Sequence, residues 1–349
     1  MDETVPFRDG PHWRTPIRDL GLRIEGTRLA PTVAEFEREL ARAGLTAVRP
    51  RLYLSTEWGV PFETVAIAIP FYLADAALTA IHAEAAGHVE GADPADLLRY
   101  LRHEMGHVLN YAYRLYDDPR WVRVFGSITQ PYEEEYAVEP FSPRYVRHLP
   151  GWYAQKHPDE DWAETFAVWL TPGADWRQDY RDFPLVLEKL ELCDALMAEL
   201  RGRPPVVTDE ELDEDVGEID YSVGEFYGDD PGGGGEEGPE AVPGIDGALR
   251  TIFEPMRAAD GSPAGISPDT LSPAASLVRA IERDLVADVY RWTGHFPERV
   301  RRLVRHLARR ASALELGYAP ERERAAVVAL TALVAALAMN HVHRGRYVP

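Results

Sequence analysis

The chain has 349 residues, 45% of them apolar, which is enough to bury cores for two domains. A formal net charge of −21 argues against nucleic-acid binding as its main business, and the single cysteine, Cys193, excludes an internal disulfide or a thiolate zinc knuckle. The start, Met1-Asp2-Glu3-Thr4-Val5, has no apolar signal-peptide core and no uninterrupted apolar run reaches about 18 residues, so a soluble, cytoplasmic protein without membrane contact is expected.

In chain order, Val33–Ala43 has amphipathic spacing and stops at Gly44, which predicts a helix. Ala47–Ser55 and Val65–Phe71 are rich in β-branched, aromatic and other apolar residues and predict strands. Two roles suit Val65-Ala66-Ile67-Ala68-Ile69-Pro70. Pro70 favours an edge strand, which could pair with an extended peptide, whereas the unbroken apolar run equally suits a buried parallel strand.

Asp93-Pro94-Ala95-Asp96 supplies an N-cap, a proline at the first helical position and an acid in the first turn. Leu97, Leu98, Leu101, Met105, Val108 and Leu109 recur at helical spacing behind it, and Asp117-Asp118-Pro119 ends the pattern. This helix carries Arg102-His103-Glu104-Met105-Gly106-His107, an H-E-x-x-H motif. Two imidazoles four residues apart share a helix face and can reach one metal ion. Glu104 between them is placed to take a proton from a metal-activated water. Both histidines fall beside the apolar stripe, as ligands of a half-buried metal should; the plainer reading is a surface helix with two solvated histidines.

A loop-rich stretch, Asp117–Pro150, follows, then a second helix from His157-Pro158 to Thr171-Pro172-Gly173 and a third over Pro184–Leu200. Cys193 in the third suits a buried structural thiol. A catalytic zinc takes three protein ligands and keeps a fourth position open, so one ligand remains to be found. Glu160 and Glu164 share a face of the second helix, while Trp162, Phe166, Trp169 and Leu170 can face a core. One carboxylate can bind the metal while the other accepts a hydrogen bond from a ligand imidazole; an acidic solvated face is the alternative. His148 and His157 are available as auxiliary proton donors or substrate contacts, although His157 also suits the cap region before Pro158.

Between Arg203 and Arg250 there is no Lys or Arg, and Thr208–Glu240 is dense in Asp and Glu around Pro231 and the glycines 232–235. Such a segment predicts a disordered acidic linker, in which Tyr221, Phe226 and Tyr227 are stray aromatics or docking residues. Ser272–His343 predicts an all-α region. Within Pro297–Leu316, Val300, Leu303, Val304, Leu307, Ala311 and Leu314 share one face, and Arg301, Arg302, Arg305, Arg309 and Arg310 occupy the others. That helix reads as packed on the alanine-rich run Ala325–Met339, itself expected to be buried, with a solvated arginine face. A protein partner reaching the acidic linker or this basic helix is the other reading. His341 and His343 lie in what reads as a frayed tail. Lysine occurs only at positions 156 and 189, a bias of GC-rich bacterial genomes.

The pairing of His103-Glu104-Met105-Gly106-His107 with Glu160-Asp161-Trp162-Ala163-Glu164-Thr165-Phe166-Ala167 resembles the bacterial "putative zinc-binding metallopeptidase" family. More distantly it is similar to the gluzincins of the anthrax lethal factor and Pro-Pro endopeptidase group. Val60-Pro61 and Ile67-Ala68-Ile69-Pro70-Phe71-Tyr72-Leu73 also resemble the bacterial family, so the likeness spans roughly residues 45–200. It implies that Glu160 is the third metal ligand, that Glu164 supports a ligand imidazole, and that the Tyr153 hydroxyl faces the metal and can stabilise an oxyanion. The chain departs from the family in lacking a cysteine-rich zinc ribbon.

The fold class expected is therefore α+β. A zincin-like metallopeptidase domain (1–207) is followed by an acidic Gly-rich linker (208–245) and a helical C-terminal domain (246–349). The expected function is zinc-dependent hydrolysis of peptide or protein substrates, with one Zn²⁺ per chain held by His103, His107 and Glu160 and with Glu104 as general base. The alternative is a catalytically inactive zinc-binding scaffold of peptidase ancestry.

Overall fold

The computed structural model describes residues 11–86, 88–133, 136–227, 242, 244–256 and 271–348. The chain divides into two compact units, one of Met1–Tyr136 with Phe141–Gly234 and the other of Ala137–Pro140 with Gly235–Pro349.

The first unit opens with a short helix, α1 (Pro11–Arg14), and the amphipathic α2 (Leu29–Ala43), which buries Leu29, Phe36 and Leu40 along one face. Gly44 ends α2 in the left-handed conformation, and its N–H closes on the carbonyls of Leu40 and Ala41. Strands β1 (Arg51–Ser55) and β2 (Ala66–Pro70) pair in parallel, from Arg51 opposite Ala66 to Ser55 opposite Pro70. Every residue of β2 is buried, so this strand is no free edge for a peptide. Away from β1, the Ala68 N–H donates to the Gly59 carbonyl at 2.8 Å. Pro70 is tolerated because it is the last residue of the strand.

Helices α3 (Ala76–Ala86), α4 (Pro94–Tyr113), α5 (Pro119–Phe125), α6 (Pro158–Leu170), α7 (Trp176–Asp179), α8 (Pro184–Leu200) and α9 (Val223–Tyr227) complete the unit. The stretch expected to be loop from Asp117 thus contains a helix, α5, capped by Asp118. Asp93 caps α4 by accepting the Ala95 and Asp96 N–H groups at 2.9 Å each. α4 lies along α6 and also meets α2 and β2, while α6 is backed by α8, where Cys193 is buried.

The acidic stretch from Thr208 departs from expectation. Residues 209–227, read from composition as disordered, run along the first unit. The Asp209 carbonyl accepts the Val65 N–H at 2.7 Å, and the Val216 N–H donates to the Leu54 carbonyl of β1 at 3.0 Å. Ile219 and Val223 are buried, and the Phe226 ring meets Phe71 edge-on at 5.4 Å. The apolar residues are few but spaced to reach one surface while the carboxylates stay in water, a pattern that average composition conceals. Residues 228–241, which hold the glycine run of the expected linker, lie outside the described residues.

The second unit contains α10 (Ile245–Ile252), β3 (Glu254–Pro255), β4 (Ser272–Pro273), α11 (Ala274–Ala280), α12 (Glu282–Thr293), α13 (Pro297–Ala313), β5 (Leu316–Tyr318) and α14 (Glu323–Arg344). It is not all-α: β5 pairs antiparallel with both β3 and β4 in a three-stranded sheet. Strands of two or three residues are too short to show a period of two in sequence. α13 buries Val300, Leu303, Val304, Leu307 and Ala311, and on its polar side Arg310 pairs with Asp246 at 2.6 Å and Arg305 with Glu282 at 2.9 Å.

α14 is longer and less buried than the alanine run suggested. Ala326, Leu330, Val334, Leu337 and Ala338 face the core, but Ala325, Val328, Ala332 and Ala336 are exposed. The helical stretch Pro320–Arg344 is long and apolar enough to cross a membrane by length and composition alone, a test that core helices of soluble proteins also pass. The tail expected to fray is pinned instead. Tyr347 is buried, its hydroxyl is hydrogen-bonded to His295 Nε2 at 2.7 Å, and its ring lies 4.6 Å from that of His341.

Candidate metal centre

Helix periodicity explains how four residues from two helices meet. His103 and His107 stand one turn apart on α4, and Glu160 and Glu164 stand one turn apart on α6, so two helices in lengthwise contact oppose the pairs. The contact is close because of Gly106. A Cβ there would lie 2.7 Å from the Cα of Ala163, and the Trp162 indole N–H donates to the Gly106 carbonyl at 2.8 Å. Gly106→Ala is therefore expected to force the helices apart. It should cost about 1–3 kcal/mol in urea unfolding and weaken zinc uptake in a competitive chelator titration. Unchanged zinc affinity would mean that the centre does not need this approach.

His103 Nε2 and His107 Nε2 lie 3.0 and 3.2 Å from Glu160 Oε2, and 3.2 Å from each other. Four ligands about 2.0–2.1 Å from a tetrahedral zinc are separated by roughly 3.3 Å, so the three atoms sit close to the spacing that the ion requires. The other nitrogen of each imidazole faces a carboxylate. His103 Nδ1 is 3.1 Å from Glu164 Oε1, and His107 Nδ1 is 3.0 Å from Asp159 Oδ2, the latter close but off-line for a hydrogen bond. Carboxylates at Nδ1 hold the proton there and leave both Nε2 lone pairs turned toward Glu160.

The supporting carboxylates are themselves secured. Glu164 accepts the backbone N–H groups of His148 and Leu149 at 3.0 Å. Asp159 accepts Asn110 Nδ2 at 2.6 Å and the Tyr111 hydroxyl. Glu160 Oε1, the oxygen away from the imidazoles, accepts the Tyr132 hydroxyl at 2.5 Å. Burial alone would lower both imidazole pKa values, but hydrogen bonds donated to Glu160 and Glu164 raise His103 to about 9, and the charges of Asp159 and Glu160 hold His107 well above its usual range. Burial would raise Glu160, yet the two imidazoles hold it well below the usual carboxylate range. Three buried donors so disposed call for positive charge between them. A divalent cation supplies it without setting two imidazolium ions against each other.

Glu104 is buried beside this trio and makes no hydrogen bond among the described residues. Burial raises its pKa against the opposing influence of His103 and His107. Tyr153 follows a sharp turn at Gly151 and Trp152, both with positive φ. Its ring centroid is 5.6 Å from that of His103 and its hydroxyl 3.3 Å from that of Tyr132. Burial and the charge of Glu160 keep the phenol protonated.

The other candidate histidines have structural surroundings. His148 is pushed down to about 4 by burial and bonds the Arg99 carbonyl at 2.9 Å. His157 caps α6, its Nδ1 accepting the Asp159 N–H at 3.2 Å while its Nε2 meets the Gln130 carbonyl. Sequence reasoning missed Asp159 and Tyr132. Asp159 falls in the first turn of α6, where an acid also suits the helix dipole, whereas Tyr132 sits 28 residues away in a loop and had no spacing signal at all.

Residues 93–178 match the model of a family described as "Putative zinc-binding metallo-peptidase". The matched segment contains His103, Glu104, His107, Tyr153, Asp159, Glu160 and Glu164, and it is shorter than the span expected from sequence, leaving out β1 and β2. Searches of curated proteins and of solved structures found no match, so nothing in them reaches the lethal-factor group.

Proposed function

We propose that this chain is a zinc-dependent peptidase of the H-E-x-x-H, gluzincin type. The observation that carries the reading is the convergence of His103 Nε2, His107 Nε2 and Glu160 Oε2 within 3.2 Å, with Glu104 beside them and making no hydrogen bond among the described residues. The family match over the same residues supports it.

His103, His107 and Glu160 would hold the ion. Bound there, zinc would supply Lewis acidity, polarising a scissile carbonyl and making water acidic enough to lose a proton. Glu104 takes that proton on its carboxylate as water attacks, then passes it to the nitrogen of the departing amine. Among the described residues no hydrogen bond competes for its oxygens. The Tyr153 hydroxyl, kept protonated, donates a hydrogen bond to the developing oxyanion. Glu164 and Asp159 keep the imidazoles from turning during the reaction.

The test is zinc per chain by elemental analysis, on the wild type and on Glu160→Ala. About one zinc in the first and a clear loss in the second are expected. Wild-type protein that takes up no zinc after reconstitution would overturn the reading.

A further inference from the structure

Among the carboxylates around the centre, Glu164, Asp159 and Glu160 are taken up by the donors described above. Glu90 is different. Its carboxylate lies on the loop between α3 and α4, and that loop is built to hold it. The Arg28 guanidinium donates to the carbonyls of Leu73, Gly91 and Ala92 at 2.9, 3.3 and 2.9 Å. The Gly91 N–H donates to Asp96 Oδ2 at 2.9 Å, and Gly91 has a φ of 81°, a turn that favours glycine.

Glu90 bonds the hydroxyl of Tyr100. Tyr100 stands one turn before Glu104 on α4, so Glu90 is brought over the helix face that carries the proposed base. Trp58 stacks on Tyr100, ring centroids 5.3 Å apart and planes 14° from parallel, and its indole nitrogen is 3.5 Å from the Glu90 carbonyl. The Glu90 side chain keeps 40% of its surface exposed. Desolvation nonetheless pushes it up to about 7, and it feels the charges of Glu104 and His103. Among the described residues no Lys or Arg forms an ion pair with it; His88 Nε2 lies 3.5 Å from its Oε1, a pair that is ionic only when the imidazole is protonated.

We propose that Glu90, Tyr100 and Trp58 form a subsite beside Glu104 for a positively charged group of the substrate. A carboxylate meets the cation, Tyr100 orients the carboxylate, and the Trp58 ring offers a face on which a cation or its aliphatic stem can lie. Two sources carry this chemistry, a Lys or Arg side chain near the scissile bond and the free amino terminus of a peptide. The inference deepens the peptidase reading, but the binding it describes does not require that bonds be cleaved.

The experiment has a binding arm and a cleavage arm. Binding of matched peptides, arginine against citrulline and each with a free or an acetylated amino terminus, is measured calorimetrically on zinc-reconstituted Glu104→Gln, with and without Glu90→Gln. Cleavage of the same peptides, each with a free and an acetylated amino terminus, is measured on the wild type and on Glu90→Gln. In both arms the cationic form should be favoured by about tenfold or more, with the ratio collapsing toward one when Glu90 is neutralised. If acetylation abolishes the preference, the cation is the amino terminus; if citrulline does, it is the side chain. Tyr100→Phe should reduce the same ratio in part. Equal handling of arginine and citrulline and of free and acetylated peptides, or a ratio that survives Glu90→Gln, would overturn the subsite. Charge-selective binding that depends on Glu90 but comes without hydrolysis would keep the subsite and sink the peptidase reading. Hydrolysis indifferent to charge would do the reverse.

Discussion

Glu104→Gln should lower the rate of peptide hydrolysis by about 10²–10⁴-fold while zinc stays bound at the wild-type level. Glutamine keeps the shape and hydrogen-bonding reach of the side chain but cannot accept a proton as a carboxylate does. None of the three converging donor atoms belongs to residue 104, and the carboxyl makes no hydrogen bond among the described residues that its loss would break. Metal content and folding should therefore be spared while the chemical step fails. The measurement is single-turnover hydrolysis beside zinc per chain on one preparation. A variant that loses zinc together with activity would show that Glu104 supports the metal, and one that keeps full activity would exclude it as the base.

Lys189→Met should cost about 3–5 kcal/mol of stability. Lys189 comes from α8 and donates to Asp161 Oδ2 and to the Arg144 carbonyl at 2.6 Å each, with its ammonium 4.3 Å from the Tyr145 ring centre. Both members of the pair are buried, Asp161 at 4% exposure and Lys189 at 7%. Burial pushes Asp161 up to about 7 even with Lys189 pulling it down, and its second oxygen has no hydrogen-bond partner among the described residues. A carboxyl whose pKa is raised on folding is tolerated best below its unfolded pKa, near 4, and its contribution to stability is lost as pH rises through 7. Without Lys189 that loss deepens, so the variant should be more impaired at pH 8 than at pH 5 in urea unfolding. The double variant Asp161→Asn with Lys189→Met should recover most of the difference, because no buried charge is then left alone. A single variant as stable as the wild type would show that the pair contributes nothing net.

The parts of the centre legible in sequence are those governed by helix periodicity. His103, Glu104 and His107 are set by their spacing, and the shared face of Glu160 and Glu164 follows from the same rule. Choosing between those two carboxylates took a family resemblance, since spacing treats them alike. What stayed hidden depends on contacts between distant segments. Tyr132 reaches Glu160 from a loop, Asp159 braces His107 from a position that also suits helix capping, and Glu90 meets Tyr100 across a turn. The need for glycine at 106 comes only from the close approach of α6, where a Cβ would lie 2.7 Å from the Ala163 Cα. The same limit explains the fold. α4 and α6 carry side-chain caps, and α4, α6 and α8 each open on a proline, whereas residues 209–227 hold their few apolar contacts among carboxylates that dominate any average.

The two imidazoles are braced from different directions, and this makes the centre asymmetric. Asp159 ties His107 to Asn110 and Tyr111, residues of the same helix, so that support is as stiff as α4 itself. Glu164 instead ties His103 to the backbone at 148–149, just ahead of the turn that presents Tyr153. A disturbance of that loop would reach the His103 imidazole directly and His107 only through Glu160. If an ion is held there, the loop would work as a handle: whatever grips it would change affinity at the centre through His103, and by reciprocity the ion would stiffen the loop.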